Sequence, residues 1–190
     1  LDTGIYKGKD LNIISRELLQ NAQGAFFNTK IKDRSIVDIA DKDAGFYAMK
    51  DNGKGMDGRT FLSKFLPPLT SGKGVGEGGG FGFAKGITLG RPENFKVITV
   101  AKDASDGKMY KITLDGSGPG WKEYATDFMK KNLPPEAKNP NFKRIRFNDE
   151  LEAWREEVPQ DTPSGTTFML KDNSLEQDTN PAQFSVLPKN

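Results

Sequence analysis

Neither cysteine nor histidine occurs anywhere in the 190 residues. Their absence excludes a disulfide framework, a thiol nucleophile, a zinc site of Cys/His type and a Ser-His-Asp triad. A phospho-accepting histidine is excluded with them. Long apolar runs are missing too: none approaches the roughly 18 residues of a membrane span, and mean hydropathy is −0.64. Charge of one sign is also lacking. With 28 Lys+Arg against 26 Asp+Glu the formal net charge is +2, so no overall pull toward nucleic acid or a membrane surface follows. The opening Leu1-Asp2-Thr3-Gly4 carries no initiator Met, basic segment or apolar signal core, which reads as an excised domain or processed product from a soluble, reducing, cytoplasmic compartment. Any chemistry must come from carboxylates, lysines, amides, hydroxyls and the backbone.

Glycine, by contrast, is abundant and unevenly spread. Of 21 glycines, nine fall between Gly72 and Gly90, seven of them between Gly72 and Gly82. Such density marks either a flexible linker or a backbone that must approach a ligand closely. The stretch runs straight into Phe81-Gly82-Phe83-Ala84-Lys85-Gly86-Ile87-Thr88-Leu89, whose apolar spacing predicts a helix over about 82–89. A loop ending at a helix N-terminus offers free N–H groups to an anion, so a ligand loop is the preferred reading. The sequence has no G-x-x-x-x-G-K-[ST] phosphate loop. G-x-G-x-x-G occurs at Gly53/Gly55/Gly58 and at Gly74/Gly76/Gly79, but a dinucleotide fold needs an early βαβ unit. This chain opens with a helix, and both matches are decoys.

Apolar residues recur at helical spacing from Asp10 to Phe27, with Asp10 as the expected N-cap. Strands are expected at 35–40 and 46–49 around an Asp41-Lys42-Asp43 turn, and a short helix from Asp57 to Leu66 is ended by Pro67-Pro68. Further strands are expected near 96–102 and 109–114, joined by an Asp106-Gly107 hairpin turn. A helix over 121–132 and strands over 142–147 and 166–170 complete the chain. The result is one helix-first α+β domain of six strands and four helices. Residues 173–190 read as a polar tail that is a linker or docks elsewhere. Residues 122–146 hold seven Lys/Arg against three Asp/Glu, and residues 149–161 hold six Asp/Glu against one Arg. Both are read as solvated faces that pair with each other.

Three places carry polar residues that a plain core would not need. Glu17 and Asn21 lie four apart on one helical face, beside the apolar stripe of Leu18, Ala22 and Ala25. An exposed Glu/Asn pair is the ordinary alternative, but a carboxylate and an amide on adjacent turns also suit water activation and a hard cation. Asp51-Asn52-Gly53-Lys54-Gly55-Met56 follows directly on a strand and sets an acceptor where backbone approaches closely, or forms an ordinary Asn-Gly turn. Ser164-Gly165-Thr166-Thr167 enters the last strand, and alone it is an unremarkable strand start.

In this order, the elements resemble the GHKL ATPase superfamily (gyrase B, Hsp90, histidine kinases and MutL-type repair proteins). Glu17-Leu18-Leu19-Gln20-Asn21-Ala22 is similar to its E-L-x-x-N-A helix, and Asp51-Asn52-Gly53-Lys54-Gly55-Met56 to its D-x-G-x-G motif. Thr70-Ser71-Gly72-Lys73 with Gly79-Gly80-Phe81-Gly82 resembles its lid, and Gly165-Thr166-Thr167 its closing strand. The resemblance spans Asp10 to about Asp172 and implies residues 1–172 as the ATP-binding domain. The implied fold is the Bergerat ATP-binding fold, an α+β two-layer sandwich whose mixed, mostly antiparallel sheet carries helices on one face. It further implies ATP and Mg²⁺, with Asp51 accepting from the adenine amino group, Gly53 and Gly55 lying against the base, Met56 packing on it and Thr166 reaching it through water. Asn21 would ligate Mg²⁺, and Gly80, Phe81 and Gly82 would cradle phosphate oxygens, with Ser71 and Lys73 adding contacts. Glu17 would be the catalytic base that deprotonates the attacking water.

The function expected is therefore Mg²⁺-dependent ATP binding and hydrolysis by part of a larger protein, of a divergent bacterial or phage-encoded branch, with a nucleotide-responsive lid and nucleotide-driven homodimerisation. A non-hydrolysing ATP-binding switch is the alternative, because Gly24 stands where many hydrolytic members carry Asp. Nucleic acid as a partner of the 122–146 stretch is a third reading, set against the assignment of its aromatics, Trp121, Tyr124, Phe128 and Phe142, to the core. No membrane partner is expected.

Overall fold

A computed structural model describes residues 7–41, 43–68, 86 and 88–172. The first helix, α1 (Lys7–Gly24), leads into the hairpin β1 (Ile36–Asp41) and β2 (Phe46–Asp51). A short helix α2 follows, with one α turn (Gly58–Thr60) continuing as a π turn (Phe61–Phe65). Then come β3 (Asn94–Lys102), β4 (Met109–Gly116), α3 (Gly118–Met129), a 3₁₀ turn (Pro135–Lys138), β5 (Arg144–Asn148), β6 (Leu151–Glu157) and β7 (Gly165–Lys171). The seven strands form one sheet in the order β1-β2-β7-β3-β4-β6-β5. The α+β sandwich expected from the sequence is what forms. Every described strand pair is antiparallel, in line with the mixed, mostly antiparallel sheet expected, and the described residues contain no parallel βαβ unit for a dinucleotide fingerprint.

One apolar core lies between the helices and one face of the sheet. Leu11, Ile14, Leu18 and Ala22 of α1, Phe61 of α2, and Trp121 and Tyr124 of α3 pack on Tyr47, Met49, Val97, Leu114, Ile145 and Phe168 from the strands. Trp121 also donates its indole N–H to the Leu66 carbonyl at 3.1 Å, fastening α3 to the end of α2. Phe142 is buried and Phe128 packs half-buried against the core, so the aromatics of the basic stretch serve packing. No described helix is long and apolar enough to cross a membrane.

Several boundaries differ from the sequence expectation, each for a physical reason. Asp10 is not an N-cap, because α1 already begins at Lys7; the polar turn 7–10 extends the helix without any apolar periodicity to reveal it. At the other end α1 stops at Gly24 rather than Phe27, and Asn28 adopts φ 56. Phe26 nevertheless stays buried while Phe27 is 69% exposed. Asp57 does cap α2, accepting from the Thr60 N–H at 2.9 Å. Helix α3 begins three residues before the expected Trp121, capped by Ser117, whose hydroxyl accepts from the Gly120 N–H at 3.0 Å. It ends in a Schellman arrangement, with Asn132 N–H on the Asp127 carbonyl, Lys131 N–H on the Phe128 carbonyl, and Lys131 at φ 57.

The largest difference is β6, a seventh strand inside the acidic stretch 149–161. Leu151 and Ala153 alternate into the core, while the neighbouring acids Glu156, Glu157 and Glu152 reach Lys111 on β4, Lys108 just before β4 and Arg144 on β5 at 3.2–3.8 Å. The basic and acidic runs therefore pair in part, as expected, but across a sheet.

One ion pair on β6 is of another kind. Arg155 and Asp103 meet at 3.2 Å with side chains only 8% and 7% exposed, and the guanidinium stacks 3.5 Å from the Tyr110 ring centroid. Burial alone would raise the Asp103 carboxyl, but hydrogen bonds from Ser105 and Arg155 outweigh it and hold the carboxyl below its usual range. Replacing Arg155 with Met leaves Asp103 buried without its charge partner, which is expected to cost about 3–5 kcal/mol in urea unfolding at pH 7. Because the folded carboxyl titrates low, the pair's stabilisation is present above the unfolded carboxylate range and is lost as pH falls through it. The difference between Arg155→Met and wild type should therefore shrink toward pH 3.

Candidate functional site

Three adjacent strands bring three polar residues into one row. Asp51 at the end of β2 lies opposite Thr166 near the start of β7, and Thr166 lies opposite Thr99 in β3. Side chains alternate along a strand, so this row shares the helix-covered face with Met49, Phe168 and Val97. The Thr99 and Thr166 hydroxyls are 2.9 Å apart. Thr99 is fully buried, and its hydroxyl accepts the Met56 N–H at 2.8 Å. Asp51 is 7% exposed and accepts the Gly53 N–H at 2.8 Å. Burial pushes its carboxyl up to about 6, while backbone hydrogen bonds from Gly53 and Thr166 pull it the other way.

The loop after Asp51 is held from four sides. Asn52 faces away from the row: its side chain accepts from Ser35 N–H and donates to the Asp33 carbonyl, both at 2.7 Å, fixing the entry to β1. Lys54 donates its N–H to the Ala25 carbonyl at 2.9 Å, and Ser164 donates its hydroxyl to the Gly53 carbonyl at 2.7 Å. Met56 is tied to Thr99 as described. The two glycines have no room for a side chain. A Cβ on Gly53 would lie 2.5 Å from the Ala25 Cβ, and one on Gly55, whose φ is +69°, would lie 2.0 Å from the Val100 carbonyl oxygen. Close approach of the protein's own backbone thus already demands glycine at both positions.

The Ala25 anchor also sets where Glu17 and Asn21 stand. Ala25 donates its N–H to the Asn21 carbonyl at 3.0 Å, so the last turn of α1 lies directly on the Asp51–Met56 loop. Asn21 and Glu17 are half-buried, one turn apart beside buried Leu18 and Ala22, at the rim of the core as their spacing predicted. Gly24 is exposed where α1 ends. The structure thus assembles Asp51, Gly53, Gly55, Met56 and Thr166 around one loop with the Asn21 turn against it. Ser71, Lys73, Gly80, Phe81 and Gly82, with nearly all of the helix expected over 82–89, lie outside the described residues, as does the tail 173–190.

Sequence reasoning missed Thr99 and Ser164. A threonine inside a β-branched run such as Val97-Ile98-Thr99-Val100 is ordinary strand composition, and only the register across β7 reveals its role. Ser164 lies in the Ser164-Gly165-Thr166-Thr167 turn, but nothing local shows that its hydroxyl closes the loop.

Chemically, the row offers a buried acceptor beside two hydroxyls, and the adjoining helix rim offers a carboxylate and an amide oxygen. Among the described residues no group of three or more His, Cys, Asp or Glu could hold a metal ion. Compared with models of protein families and with curated proteins, the chain matches none.

Thr99→Val keeps the shape but removes the hydroxyl, stranding the Met56 N–H and the Thr166 hydroxyl. A loss of about 1–3 kcal/mol is expected in denaturant unfolding, with faster amide exchange at residues 53–56 than in β4.

Proposed function

We propose that this chain is a Mg²⁺-dependent ATP-binding and ATP-hydrolysing module of GHKL type, built on a Bergerat-like sandwich and acting within a larger protein. The observation that carries the reading is the buried Asp51 carboxylate, held by the Gly53 N–H and set in register with Thr166 beneath the last turn of α1. A dry carboxylate that keeps an acceptor oxygen selects an exocyclic amine over a carbonyl, which distinguishes adenine from guanine. Thr166 and Thr99 extend that polar row, and Met56 supplies an apolar surface beside it. When bound, Mg²⁺ neutralises charge on the phosphates. Asn21 offers it a hard oxygen, and Glu17, one turn away, orients the attacking water and takes its proton. The glycine-dense stretch 72–82, with Ser71 and Lys73, is assigned to the phosphates, and nucleotide binding drives homodimerisation through the parent chain.

A non-hydrolysing switch is the second reading. It is favoured by Gly24, which leaves the end of α1 without a carboxylate near Asn21.

Purified chain with MgATP is expected to release phosphate slowly. Glu17→Ala should abolish release while leaving calorimetric ATP affinity within about threefold, and Asp51→Asn should abolish binding itself. Binding with no phosphate release by the wild-type chain would establish the switch instead. Asp51 also predicts a pH signature. Its folded pKa, about 6, lies above the ordinary 3.8, so the ligand-free fold takes up a proton between these values and loses stability as pH rises through about 6. The ionised form is the one that accepts from an amine, so ATP affinity should rise over that same window. Affinity that is flat from pH 5 to 7.5 would contradict the role given to Asp51.

A further inference from the structure

The two edges of the sheet are treated differently. At one edge, β5 is five residues long, carries Arg144 and Arg146 facing outward, and is broken by a register shift between Arg146 and Asn148. Short length, charge and a bulge are the usual protections against a strand adding to an edge. The other edge, β1, has a regular six-residue register with β2 and presents Val37 and Ile39, 52% and 59% exposed. These two lie on the face away from the helices. Beside Ile39 on that face come Ala48 and then Met169, in register across β2 and β7, so the exposed apolar pair continues onto the sheet.

The chain itself contains a segment suited to this edge. Between Pro181 and Pro188 runs Ala182-Gln183-Phe184-Ser185-Val186-Leu187, uncharged, with Ala182, Phe184 and Val186 at alternate positions. Strand β7 ends at Lys171, opposite Phe46, and Phe46 is opposite Asp41 at the end of β1. The chain therefore leaves the sheet at the end where β1 finishes. A place outside β1 is three strand spacings from β7, about 14 Å. Residues 173–181 number nine, which reach about 30 Å when extended. Having crossed, the segment would run back along β1 in the antiparallel sense that every described pair in this sheet adopts.

We propose that residues 182–187 of the same chain add to the β1 edge as an eighth, antiparallel strand, with Phe184 and Val186 covering Val37 and Ile39. The segment closes the edge left regular and apolar among the described strands.

Hydrogen exchange on the full 190-residue chain tests this, comparing wild type with Phe184→Asp/Val186→Asp. Both substitutions lie outside the described core, so β3 and β4 should exchange at unchanged rates and serve as the internal control. Those amides of residues 36–41 that point away from β2 are expected to exchange at least tenfold faster in the variant, and to be equally protected in wild type at low and high protein concentration. Equal rates in the two chains would overturn the proposal. So would wild-type protection of 36–41 that disappears on dilution, since a second copy would then be covering the edge.

Discussion

The hydrogen bond from Lys54 N–H to the Ala25 carbonyl adds a directional tie between two parts of the chain that otherwise meet through apolar packing. Ala25 belongs to the turn that ends α1, and Lys54 to the loop that leaves β2. With this contact made, Gly53 is pressed against the Ala25 methyl, and the space for a side chain at position 53 is gone. Without it, the helix rim bearing Glu17 and Asn21 rests, among the described residues, on apolar packing by Leu11, Ile14, Leu18 and Ala22, which resists separation but tolerates sliding. Directional bonds from Ser164 and Thr99 fix the same loop from the sheet side. The candidate site is thus positioned by backbone groups and hydroxyls, with the apolar core supplying the force that holds helix and sheet together.

That division of labour explains what could be read from the sequence. Apolar periodicity is a statement about burial, so it exposed α1, both ends of the β1–β2 hairpin and the core role of Trp121 and Tyr124. Capping chemistry is local, so Asp57 was legible as the start of α2. Ser117 was equally local, but Gly118-Pro119-Gly120 reads as a breaker, and only a serine two residues ahead of a proline hints that a helix opens there. Strand β6 was hidden by its charges: Leu151 and Ala153 supply just two inward residues, and the acids between them look solvated until lysines and arginines on β4 and β5 are placed alongside.

Within the site the contrast is sharper. Asp51, Gly53, Gly55, Met56 and Thr166 were singled out from short stretches whose residue types are unusual together, and the fold gathers them around one loop. Thr99 belongs to that assembly yet carries no local signal, because its neighbours across β7 lie 67 residues away in sequence. Gly53 and Gly55 teach a related point. The resemblance assigns them to close approach by a base, while contacts inside the protein alone already require them, so the two glycines are not diagnostic of a ligand.

The unlike edges of the sheet also bear on how copies of the protein could associate. Fibre growth by strand addition requires a molecule to be adhesive at two opposite ends, so that each newcomer offers a fresh surface to the next. Here the β5 end is blocked by its bulge and its outward arginines. If the β1 edge were bared, it could meet only another β1 edge, and that contact uses up both partners. Such an encounter stops at two copies, so the two described edges do not together offer the paired surfaces that a growing fibre needs.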